Sequence, residues 1–113
     1  MEQVRKILII LSTAEREKAM AGLMYAKNTH DNHWFDDVRV ILFGPFERLL
    51  VEDKEIRDLG AEIFKIIAHP VACNTFADDP VVSDAIKSLG CEIDQVGGII
   101  SECIRNGYVP LVF

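Results

Sequence analysis

Clustered positive charge is missing from this sequence. Its 12 Lys and Arg are scattered among 18 Asp and Glu, giving a net charge of −6 and a pI of about 4.9. Nucleic-acid binding draws on basic patches that displace phosphate counterions, so the balance argues against a nucleic-acid partner. An anionic membrane surface would repel the same charge. Long hydrophobic runs are missing too: none approaches the roughly 20 residues that span a bilayer, so no membrane partner is expected. The opening "MEQVRKILIIL" sets basic residues before an apolar run, as a signal peptide does. Glu2 stands ahead of them, however, and no clean small-residue cleavage site follows, so a β-strand is the better reading.

Cysteine is scarce. There are three, Cys73, Cys91 and Cys103, and an odd, widely spaced set does not make a disulfide framework. There is no CxxC and no Cys/His pair at zinc spacing, so no metal and no cofactor are expected. A reducing cytoplasm fits this usage. The glycines of GxGxxG and of the P-loop are absent, as are repeats and low-complexity tracts. "GGIISE" is too weak for a nucleotide fingerprint, because no strong strand precedes it.

What is present is the composition of one compact domain over residues 1–113: 50% hydrophobic and 27% charged residues. Strand-like and helix-like stretches alternate along it. Val4–Leu11, with its ILIIL run, suits a strand buried on both faces. "STAE" then reads as a capping box, Ser12 as cap and Glu15 three residues on. The next helix carries Ala19, Met20, Leu23, Met24 and Ala26 on one face and ends near His30–Asn32. Val38–Phe43 predicts a second strand, broken by Gly44-Pro45. A short helix follows at Phe46–Val51 and a longer one at Asp53–Ile67. A short third strand lies around Pro70–Cys73. Asp79-Pro80 opens a helix, with Asp as cap and Pro at the first position, and Gly90 closes it. Cys91–Val96 reads as a fourth strand, Ile99–Arg105 as a helix, and Val109–Phe113 as a final strand that Pro110 assigns to an edge.

This order predicts a three-layer α/β/α sandwich around a mostly parallel sheet of about five strands. Ligands of such sheets gather at the carboxyl ends of the strands. The segments Ser12–Glu15, Gly44–Arg48 and Asn74–Asp79 should meet there, making Ser12, Thr13, Gly44 and Pro45 candidate pocket residues. Cys73 would end its strand on that edge. Only a thiolate is nucleophilic, so a reactive cysteine needs a cation, a donor or a helix N-terminus beside it. His69 shares a face with Cys73 if the strand is extended, at roughly 13 Å along it, and Pro70 could bend the two together. Asp78 and Asp79 act against a thiolate. Cys91 and Cys103 read as packing residues. In "HDNHW", His30 and His33 fit a helix C-terminus better than a metal site. Trp34 and Phe35 are candidates for core or interface anchors.

The succession ILIILST, VRVILFGPF, LGAEIF, a cysteine after a short strand, and GCEIDQVGGIISECIRNGYVPLVF resembles the small DsrE/DsrF-like proteins over nearly the whole chain. These include the YchN-like group and the sulfur-relay Tus subunits. The resemblance implies an oligomer, a homotrimer or homohexamer, in which a cysteine after the third strand carries sulfur as a persulfide between donor and acceptor proteins. Cys73 is the matching position, with Asn74 and Thr75 of its loop orienting the sulfur and His69 as a helper. The alternative is a noncatalytic oligomeric module that holds a small ligand or peptide at the strand ends, with Cys73 only packing.

Overall fold

A computed structural model of the protein describes residues 5–75 and 77–113. The start of the predicted first strand, up to Val4, and Phe76 of the loop after Cys73 lie outside the described residues. The elements run β1 (Lys6–Leu11), α1 (Arg16–Asp31), β2 (Asp37–Leu42), α2 (Pro45–Glu52), α3 (Lys54–Ile66), β3 (Val71–Cys73), α4 (Pro80–Ser88), β4 (Glu92–Asp94), α5 (Val96–Arg105) and β5 (Tyr108–Val112). The five strands form one sheet in the order β4-β3-β2-β1-β5. Every pairing is parallel, which bears out the expected α/β sandwich. Pro110 does lie in an edge strand.

The strand order dictates where the helices go. From β1 to β4 the chain steps steadily toward one edge. Right-handed crossovers then put every intervening helix on the same face. Ala19 and Leu23 of α1, Phe46 and Leu50 of α2, Ile56 and Ile63 of α3, and Val82 and Ile86 of α4 pack there against Ile7, Ile9, Val40, Leu42 and Ala72. The last step, from β4 to β5, runs back across the whole sheet in the opposite sense. Its helix therefore crosses the other face, where Val96 and Cys103 of α5 pack on Leu8, Ile10, Ile41, Val71 and Cys73. Four helices cover one face and one covers the other.

Several local features differ from the sequence reading. Helix α1 starts at Arg16, so Glu15 is its cap and accepts hydrogen bonds from the Glu17 and Lys18 amides at 3.0 and 2.7 Å. Ser12 is no cap: its hydroxyl donates to the Phe113 carbonyl at 3.1 Å. That bond holds β5 against the end of β1. Gly22 lets α1 approach the same place, since a Cβ there would lie 2.7 Å from Leu11 Cδ2 and 2.8 Å from Phe113 Cγ. The fourth strand stops at Asp94, and α5 begins at Val96 rather than at Ile99. Asp79 and Pro80 act as read, Asp79 accepting from the Val81 amide at 2.9 Å. Trp34 is exposed and leans on Tyr25, ring centroids 5.9 Å apart, so it is not a core anchor.

One carboxyl group is buried in the four-helix face. Glu47, in the first turn of α2, is fully buried and neither oxygen has a hydrogen-bond partner. Burial pushes its pKa up to about 8. Burial thus favours its protonated form in the core.

Candidate functional site

Cys73 is the last residue of β3, paired in register with Asp94, the last residue of β4. From this point the two neighbouring strands send the chain to opposite faces. After Cys73 it goes through Asn74 and Thr75 to α4, on the four-helix side. After Asp94 it goes through Gln95 to α5, on the other. Adjacent strand ends that diverge in this way leave a crevice between their loops, the topological switch point at which parallel α/β sheets bind ligands. Here the crevice is a cavity of about 520 Å³ lined by Phe43, Cys73, Asn74, Thr75, Gln95, Val96 and Gly97.

Backbone bonds fix its walls. The Asn74 amide donates to the Asp94 carbonyl at 2.9 Å, and the Ala77 amide to the Cys73 carbonyl at 3.2 Å, closing a tight turn after the cysteine. Asp94 Oδ1 accepts from the Gln95 amide at 2.7 Å. Gln95, the cap of α5, gives that helix no side-chain hydrogen bond, so the first-turn amides keep their donors. Gly97 and Gly98 have nothing within 4 Å of where a side chain would begin. The thiol therefore shares a cavity with a helix N-terminus whose first-turn amides have no side-chain cap, and the Asp94 carboxylate, on the Gln95 amide, is the negative charge beside it. Cys73 itself is 6% exposed, so it is reached through the cavity and not from the open surface.

The other cysteines differ. Cys91 is packed in the four-helix core, and burial, with the Glu47 carboxyl second, pushes its thiol up to about 12. Cys103, on the inner face of α5, is buried against the sheet. Both are packing residues.

The structure separates some of the predicted site residues. Asn74 and Thr75 join Cys73. Ser12, Gly44 and Pro45 line a neighbouring, mostly apolar cavity of about 400 Å³ with Ile10, Phe43, Ile100 and Val112. Phe43 is common to both cavities. Thr13 lines neither; its Oγ1 accepts from the Glu15 amide at 3.0 Å. His69 does not line the Cys73 cavity. It precedes β3 at the strand's other end with φ of 52°, is exposed, and its Nδ1 lies 3.6 Å from Glu92 Oε1. The left-handed backbone at His69 breaks the extended path on which a shared face depended. Asp78 and Asp79 are exposed and line neither cavity.

Residues 95–97 escaped the sequence reading. "DQVGG" carried the signal, because an acidic strand end followed by two glycines can open a helix closely approached by other groups. In the sequence reading the fourth strand instead ends at Val96 and the helix starts at Ile99.

Fold and site together define a doubly wound, parallel α/β protein with a cysteine at its switch point. Neither a protein-family model nor a curated protein matches the chain. Among solved structures, it is similar to a conserved protein of unknown function from Bacteroides thetaiotaomicron. The TM-score is 0.84, with 24% identity over 96% of this chain and 95% of that one. At that identity the likeness is one of fold.

Proposed function

We propose that this chain is a DsrE-like sulfur carrier of the cytoplasm, a homotrimer or homohexamer that accepts and passes on sulfur as a persulfide of Cys73. The observation that carries this is the meeting of Cys73 with the uncapped N-terminus of α5 in one cavity at the switch point. An oligomer accords with the exposed β5 edge, where Val109 is 62% and Val112 56% exposed.

The chemistry conserves electrons. The Cys73 thiolate attacks the outer sulfur of a donor persulfide, R–S–SH. The new S–S bond forms as the donor's breaks, leaving Cys73–S–SH and the donor thiolate. An acceptor thiolate then attacks the outer sulfur of Cys73–S–SH and regenerates the Cys73 thiolate. The α5 amides and the Asn74–Thr75 loop favour the anionic sulfur at each stage. Because Cys73 is recessed, donor and acceptor must be small thiols or present a cysteine on a protruding loop.

Intact mass after incubation with a low-molecular-weight persulfide tests the proposal. Wild type, Cys91→Ser and Cys103→Ser should each gain about 32 Da per sulfur atom, and Cys73→Ser should gain nothing. An adduct that persists in Cys73→Ser, or wild type that takes up none, would sink it. The apolar cavity beside the site favours a second reading, a noncatalytic module whose ligand or peptide sits on Ile10, Pro45, Ile100 and Val112. Wild type that takes up no sulfur yet binds an apolar probe there would support that alternative.

A further inference from the structure

Helix α5 leaves a second polar opening at its other end. There, at the amino ends of β1, β2 and β5, a cavity of about 420 Å³ is lined by Lys6, Arg39, Ile99, Glu102, Cys103, Asn106 and Tyr108. Lys6 stands in register with Tyr108 on one side and Asp37 on the other, and Arg39 is two residues beyond Asp37 on the same face of β2. Sheet geometry therefore directs both cations into one space.

Neither cation is held in a close ion pair. Among the described residues, no carboxylate lies within 4 Å of the Lys6 ammonium or the Arg39 guanidinium. Arg39 Nε is buried without a hydrogen-bond partner. Lys6 Nζ donates to the Asn106 carbonyl at 3.3 Å and lies 5.3 Å from the centre of the Tyr108 ring, which leaves ammonium donors open. The adjacent carboxylate, Asp37, accepts a hydrogen bond from the Tyr108 hydroxyl instead. Glu102 lines the cavity from an exposed position. A guanidinium with a buried, unused N–H beside an ammonium is the donor set that recognises a planar or tetrahedral oxyanion.

We propose that this cavity binds the oxyanion of a small metabolite, a carboxylate or a phosphate, between Lys6 and Arg39. It lies at the opposite end of the strands from Cys73, so the proposal stands whether or not Cys73 carries sulfur.

Side-chain N–H NMR reads the site directly. The full chain is titrated with inorganic phosphate and, separately, with malonate at fixed ionic strength, and the Arg39 Nε–H resonance is followed. The expected result is a saturable shift with a half-point below about 1 mM for at least one probe, weakened about tenfold in Lys6→Gln. The probe with the lower half-point names the oxyanion. The Tyr108 and Asn106 amides should shift with Arg39 in wild type and should no longer respond in Arg39→Gln. No saturation by either probe up to about 20 mM, or the same half-point in wild type and Lys6→Gln, would overturn the proposal. Lys6 is the first residue of β1 and only half-buried, so Lys6→Gln keeps the test usable if Arg39→Gln does not fold.

Discussion

The two faces of the sheet are built from the same strands but finished differently. On one, four helices close over the strands, and several of the largest buried side chains, Phe46, Leu50, Ile56 and Ile63 among them, come from those helices. On the other, a single ten-residue helix covers the centre. Leu8 and Ile41 are sealed beneath it, but α5 is too short to reach the margins. All three cavities described above border that helix or its ends. The lesson is a division of labour: one face is sealed by helices, and the thinly covered face carries the cavities. Binding sites need concavity and unspent polar groups, which a fully packed layer lacks.

The largest test of that comparison is truncation on the closed face. Phe46→Ala should cost about 3–5 kcal/mol in urea unfolding, because it leaves a cavity among helices that cannot collapse into it. Ile100→Ala on α5, half-buried beside an existing cavity, should cost about 1 kcal/mol. Equal losses would mean that the two faces share the burden of stability.

Glu47 sharpens the comparison further, since it is a defect in the closed face. In the unfolded chain the carboxyl loses its proton near its ordinary value of 4.5; in the folded chain it keeps it to about 8. Between those values the folded state binds more protons, so stability falls as pH rises across the window. Below 4.5 both states are protonated, above 8 both are ionised, and the group adds no slope in either range. Replacing Glu47 with Met, similar in size and apolar, should stabilise the protein at every pH by relieving the unpaired carboxyl, and by roughly 2–4 kcal/mol more at pH 9 than at pH 4. Glu47→Gln should flatten the profile between pH 4.5 and 8 while keeping a buried, unpaired amide. If Glu47→Gln leaves the slope unchanged, another group carries it.

Local patterns foretold some of this, and long-range order decided the rest. The continuous apolar run Ile7–Leu11 marks a central strand directly, and Asp79-Pro80 marks a helix start, so the position of Cys73 at a strand end was readable. Pro110 announced an edge. By contrast, β3 and β4 have three residues each, too few for a period to declare itself. Gly97-Gly98 carries a low intrinsic helix preference, which packing of Val96 and Cys103 on the sheet overrides. The switch point was beyond reach for another reason. It depends on β5 returning past three strands to pair with β1, and no local signal states which neighbour a strand will choose. The same holds for Lys6 and Arg39, which lie 33 positions apart in sequence and are brought to one cavity only by the strand register.

The smallest expected effect lies on the rim of the open face. Val112 is 56% exposed and pairs in register with Ile10, so in an isolated chain its methyl groups gain little from folding. Val112→Thr keeps the β-branched shape that an edge strand favours. It should change the unfolding free energy by no more than about 0.5 kcal/mol at low protein concentration, where any assembly is dissociated. As concentration rises, an assembly covering β5 would make wild type more stable and the variant less able to follow, and the gap between their melting temperatures would widen. A loss above about 1.5 kcal/mol in dilute solution would break the comparison at its weakest point. The rim would then be packed in the single chain, and the second face would be closed like the first.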